Sequence, residues 1–177
     1  MRVFPATFLT LVLLIAFGST AAADAVLERF FGTYGGFGRA EDTAGAFITT
    51  ERNFALAIRP LGADGFEVAW ATGKRKGSDP NNLEAVISRH TAGFQPSQAT
   101  GIYHQVDSGS PLLGEPLGWA RLRGAVLIVY QFDVGEDGIP ELHVYRRTLT
   151  PKGLELQFTA SRDGKLVRTV RGRYSRQ

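Results

Sequence analysis

Hydrophobic and polar positions alternate with a period of two along most of the chain, and the clearest stretch is Pro116 to Phe132. Leu117 to Leu122 leads into Arg123-Gly124, and Ala125 to Phe132 leads out again, which predicts two strands about a tight glycine-containing turn. The second arm is apolar at both odd and even positions, so it is expected to be covered on both faces. Elsewhere Phe54, Leu56 and Ile58 alternate with Asn53, Ala55 and Ala57 up to Pro60, and Ala63-Asp64-Gly65 turns the chain into Phe66 to Trp70. Further strands are predicted near Phe47 to Thr50, Leu83 to His90 and Thr100 to Val106, with Gly93 to Ser97 as a connection. Turn signals then recur at Glu136-Asp137-Gly138, Pro151-Lys152-Gly153 and Arg162-Asp163-Gly164, each followed by another alternating run.

Short strands punctuated in this way predict an all-β sandwich or barrel. The last strand, Leu166 to Tyr174, is followed by almost no chain, so no later helix can cover an open sheet edge. That favours a single antiparallel up-and-down β-barrel of about eight to ten strands, in which first and last strands pair and both edges disappear. Ahead of it, Asp24 is placed to cap a short helix over Ala25 to Phe31. The glycine-rich Gly32 to Gly38 reads as a strongly bent first strand. The long segment from Asp107 to Gly118 is expected to gate one end of the barrel.

The first 23 residues read differently. Arg2, an apolar core from Phe8 to Phe17 and Ala21-Ala22-Ala23 form the pattern of a cleaved export signal, leaving residues 24–177 as one barrel domain. The expected location is periplasmic or secreted. The chain has no cysteine, which excludes a cysteine-linked lipid anchor and any disulfide, so stability must come from packing and hydrogen bonds. No later run approaches the roughly 20 apolar residues that a membrane-spanning helix needs. A formal net charge of +3, with no concentrated basic stripe in the sequence, argues against nucleic acid as a partner. Lys74-Arg75-Lys76 reads as a solvated loop.

The order of short helix, Gly-x-aromatic, antiparallel meander and late arginine resembles the lipocalin-like, or calycin, families. Gly32-Thr33-Tyr34 stands where lipocalins carry Gly-x-Trp, and Arg171 or Arg173 where they place an arginine against that ring. The resemblance implies a structural role for Gly32, Tyr34, Arg171 and Arg173, with a guanidinium stacked on the ring at the closed end. The chain is also similar to a group of small exported bacterial proteins through Pro111-Leu112-Leu113-Gly114-Glu115-Pro116-Leu117-Gly118-Trp119-Ala120-Arg121.

Candidate chemistry is sparse. His90, His104 and His143 lie on separate predicted strands without the short spacing that pre-arranges metal ligands, so no metal or other cofactor is assigned. The acids Asp133, Glu136, Asp137 and Glu141 miss the calcium-loop spacing and suit a hairpin turn. Ser108 and Ser110, with His104 upstream, lack any sign of a strained nucleophile elbow. No catalytic residue is assigned. The aromatic residues Trp70, Tyr103, Trp119, Tyr130 and Tyr145 fall on five predicted strands, with Arg121 on the face of Trp119 and Arg147 on that of Tyr145. Facing inward, they would form an apolar cup with one or two fixed cations, suited to a small hydrophobic or amphipathic, even anionic, molecule. Two alternatives stay open: a filled barrel that binds a periplasmic protein through its loops, and an enzyme using an interior histidine.

Overall fold

The computed structural model describes residues 25–43, 48–75 and 85–177. The expected signal segment, residues 1–23, lies outside these residues, as do Asp24 and Lys76; Lys74 and Arg75, expected in a loop, are the last residues of a strand. One helical turn at 25–28 precedes ten strands: β1 (Gly32–Asp42), β2 (Ile48–Leu61), β3 (Gly65–Arg75), β4 (Ala85–Pro96), β5 (Ile102–Gln105), β6 (Leu117–Arg123), β7 (Val126–Val134), β8 (Pro140–Thr150), β9 (Gly153–Arg162) and β10 (Lys165–Arg176). Each pairs antiparallel with its sequence neighbours, and β1 also pairs with β10, closing an up-and-down barrel. Closure removes every strand edge, the expected solution for a sheet with no covering helix.

Several boundaries differ from the sequence reading. The segments expected at Phe47 to Thr50 and at Asn53 to Ile58 are, from Ile48 onward, one continuous strand, β2, while Phe47 lies outside the described residues. The expected connection at Gly93 to Ser97 is instead the end of β4, because Ala92 and Phe94 are buried inside the barrel and hold the strand in register to Pro96. In contrast, β5 is only four residues long and pairs through three residues with each neighbour.

The core is the barrel interior, and parity along each strand determines what enters it. Even positions point inward on β1 to β4, β6, β9 and β10, as Tyr34, Leu56, Val68, Phe94, Ala120, Leu154 and Tyr174 illustrate. Odd positions do so on β5, β7 and β8, as with Tyr103, Leu127 and Arg147. Leu27 and Phe30 of the N-terminal turn are buried with them and plug one end. The wall is drawn in where Gly38 of β1 faces Gly172 of β10. Cβ atoms there would approach Phe54 Cε2 to 2.8 and 2.6 Å, so the glycines leave room for the Phe54 ring to lie across the inner wall.

The end opposite the plug carries the connections β1–β2, β3–β4, β5–β6, β7–β8 and β9–β10. At this end the β5–β6 connection is folded on itself. Ser108 Oγ accepts from the Gly118 N–H at 2.7 Å, Gly109 N–H donates to the Pro116 carbonyl at 2.9 Å, and Pro111–Leu113 forms a single 3₁₀ turn.

Candidate functional site at the barrel mouth

The inward faces of β3, β4, β8, β9 and β10 bring an aromatic cluster together around one cation. Trp70 stacks on His90 with centroids 5.3 Å apart and meets Tyr145 at 5.1 Å. Tyr145 packs on Phe158 at 4.7 Å, and Phe158 on His143 at 5.5 Å. At the rim, His143 Nε2 and Glu141 Oε1 are 2.6 Å apart. Beneath the rings lies Arg147, with its guanidinium carbon 5.6 Å from the Trp70 centroid and 5.3 Å from that of Tyr145.

Arg147 is 0% exposed. Its side chain interacts with the Tyr174 hydroxyl, yet Nε and Nη1 have no hydrogen-bond partner. Among the described residues no carboxylate lies within ion-pair distance of it. Burial therefore pulls its pKa down from the ordinary arginine value, while the adjacent phenols of Tyr174 and Tyr145 pull it back up. The same burial raises the pKa of Tyr145 and Tyr174, opposed in each case by the neighbouring guanidinium. Both phenols are thus held as neutral hydroxyls. The site is a cation with unspent donors, sealed by polarisable rings that partly offset its desolvation.

Four of the seven residues expected to line a cup, Trp70, Tyr103, Tyr145 and Arg147, do face the interior. Tyr103 lies away from the mouth cluster, edge-on to Phe66 at 5.1 Å. Trp119, Arg121 and Tyr130 face outward, correcting that expectation. On β6 the inner positions are Gly118, Ala120 and Leu122, the first two small enough to admit side chains from other strands; the Gln105 side chain occupies the space above Gly118. Trp119 and Tyr130, directly opposite across β6 and β7, stack on the outside at 4.9 Å and 7°. The outer face of β7 is accordingly half-buried by its neighbours' side chains rather than covered by another layer. The sequence reading did not single out Tyr174 as a partner of Arg147, nor Phe158 and His90 as members of the ring cluster, although Phe158 shares the buried even parity of Leu154 and Leu156.

The closed end contains the arrangement implied by the lipocalin resemblance, with a different arginine. Arg176, not Arg171 or Arg173, lies over Tyr34, 5.3 Å from its centroid. It pairs with Tyr34 across β1 and β10 and shares the inward parity of Val170 and Tyr174, whereas Arg171 and Arg173 fall on the exposed outer face. Gly32 sits beside it with φ of 150°, a backbone conformation that strains any other residue, and a Cβ there would lie in ordinary contact with the Arg176 guanidinium at 3.5 Å.

The three histidines do not converge. His104 is exposed on β5, His90 and His143 are at the mouth, and no group of three potential metal ligands occurs among the described residues. No helix among them is long and apolar enough to cross a membrane. No protein-family model matches the chain, and no curated protein matches it. Among solved structures the chain is similar to the S-type phycobiliprotein lyase CPES from Guillardia theta, at 8% identity over 91% of this chain and 94% of that one, with a TM-score of 0.42.

Proposed function

We propose that the barrel binds a small amphipathic molecule bearing a carboxylate or similar acid group, with Arg147 as the anchor of the acid and the Trp70, Tyr145 and Phe158 rings as the apolar collar. The observation that carries this reading is the guanidinium that is completely buried while two of its nitrogens lack acceptors. Buried charges are ordinarily paired, and a ligand acid would supply a bidentate, charge-assisted partner. Apolar parts of the ligand would contribute roughly 25 cal/mol per Å² buried, less the cost of association. Because Trp70 and Tyr145 close over the cation, entry requires one of these rings to swing toward the mouth. As part of the same proposal, the chain is exported with loss of residues 1–23 and meets its ligand outside the cytoplasm; the mass of the protein recovered from cells tests that step.

The binding test uses Trp70 as reporter in a Trp119→Phe background, titrated with a long-chain fatty acid and with the alcohol of equal length. The acid is expected to perturb Trp70 emission and bind about tenfold or more tightly than the alcohol, and Arg147→Met is expected to abolish that preference. Equal binding of acid and alcohol, or a preference that survives in Arg147→Met, would remove Arg147 from the role.

A second reading, docking of a protein partner, is favoured by the outer face of β6 and β7. There the Trp119–Tyr130 stack adjoins Leu117, and the nearby 3₁₀ turn leaves Leu112 92% and Leu113 79% exposed. Loss of a co-purifying protein from a Leu112→Asp, Leu113→Asp double variant that retains acid binding would favour this reading.

A further inference from the structure

On the outside of the barrel, two cross-strand rows form the floor of a groove of ≈ 1000 Å³. One row runs Arg146, Gln157, Arg171, Arg39, Glu51 across β8, β9, β10, β1 and β2, each residue directly opposite the next. The adjacent row includes Glu155, Arg173 and Phe37, again in direct opposition. The groove lies where the wall is drawn in by Gly36, Gly38 and Gly172, whose missing side chains let β1 and β10 coil closely together.

Arg39 and Arg171 oppose one another with no intervening side chain, an arrangement that destabilises a sheet. None of Arg39, Arg146, Arg171 or Arg173 makes an ion pair among the described residues, although Glu51 and Glu155 stand in the same rows. With neighbouring strands about 4.8 Å apart, the guanidiniums of the first row are spread over roughly 14 Å, the reach of a short polymer rather than one small anion. Phe37 projects among them at 72% exposure, offering a flat apolar surface.

We infer that this groove is a binding site for an acidic oligosaccharide, a chain of sugars with carboxylates on alternate or successive rings. Guanidinium forks fit carboxylates in bidentate fashion, and Glu, Gln and Thr side chains serve sugar hydroxyls as acceptors and donors. Phe37 supplies a platform for the apolar face of one ring. A polyphosphate backbone fits less well, because Glu41, Glu51 and Glu155 also line the groove and would find hydroxyl donors along a sugar chain but none along a phosphodiester. A concave floor likewise suits a strand-like polymer better than a flat membrane.

The test is calorimetric titration at low ionic strength with three probes: a galacturonic acid hexamer, neutral cellohexaose and a thymidine hexanucleotide. The galacturonate hexamer is expected to bind in a salt-sensitive manner, cellohexaose to give no heat, and the oligonucleotide to bind more weakly. Arg39→Ala and Arg171→Ala are each expected to weaken galacturonate binding about tenfold. The same variants should leave the thermal midpoint unchanged or raise it, since each relieves a like-charge contact; a purely structural arginine would lower it. Failure of the hexamer to bind, undiminished binding in both variants, or equal or tighter binding of the oligonucleotide would overturn the inference. All three readouts are separate from Arg147, so this groove and the barrel interior stand or fall independently.

Discussion

Arg176 lies over the ring of Tyr34 and donates to its hydroxyl at 2.9 Å, while that hydroxyl donates to the Phe30 carbonyl at 2.8 Å. The guanidinium also donates to the Arg29 carbonyl at 2.9 Å. One arginine therefore ties the last strand to the first and to the turn that plugs the barrel. Tyr34→Phe deletes two of these bonds and is expected to cost about 1–2 kcal/mol, and Arg176→Ala a similar amount. Arg173→Ala, on the outer face of the same strand, should change stability by less than about 0.5 kcal/mol. Urea unfolding of the three variants checks the ranking, and equal effects at residues 173 and 176 would contradict it.

This end of the molecule shows how much the sequence could reveal. Alternation and turn residues marked the strands because parity and glycine placement are local properties. The choice among Arg171, Arg173 and Arg176 needed the inward parity of β10. Val170, Gly172 and Tyr174 carry that signal, but two small or amphipathic members weaken it. At β6 the large aromatic pointed the wrong way. Trp119 faces out while Gly118 and Ala120 face in, because interior volume is shared among all ten strands and cannot be assigned from one. Arg147 was legible as a neighbour of Tyr145, but its complete burial depends on Trp70 from β3 and Tyr174 from β10, which only the closed topology brings together.

The glycines of the drawn-in wall give a second expectation. A Cβ at Gly38 would stand 2.7 Å from the Gly172 Cα and 2.8 Å from Phe54, so Gly38→Ala must part β1 from β10 or displace the ring. A loss of about 2–3 kcal/mol is expected from overpacking. Gly73→Ala, where the nearest atoms are 4.0 Å away, should be nearly neutral, and urea unfolding of the two variants checks the contrast.

Replacing the buried cation should separate stability from binding. Arg147→Met fills a similar volume and removes an uncompensated charge, so the unliganded protein is expected to gain about 1–2 kcal/mol even as acid recognition disappears. A loss of more than about 1 kcal/mol would mean that Tyr174 and the two rings already balance the guanidinium in the unliganded barrel.

The phenols around that cation set an alkaline limit. Burial raises the Tyr145 and Tyr174 pKa values above the ordinary tyrosine value, near 10 when unfolded. Between the unfolded and folded values the native state holds more protons, so unfolding becomes easier as pH increases. Their stabilising contribution is complete below about pH 10 and is lost as pH rises through the folded pKa values. Absorbance titration should show a late-ionising fraction that shrinks in Tyr145→Phe and in Tyr174→Phe, and Tyr174→Phe should flatten the fall in stability above pH 10. Ionisation of all five tyrosines in one ordinary step would refute this.

The four-residue β5 makes the barrel wall unequal around its circumference. With three paired residues on each side, it is the narrowest link in an otherwise continuous ladder, held from within by Tyr103 against Phe66. The wall therefore has a seam on either side of β5, where the fewest residue pairs join neighbouring strands. Amide hydrogens of β5 should accordingly exchange with solvent long before those of β1, β9 and β10, which makes this seam the place where the cylinder first comes apart.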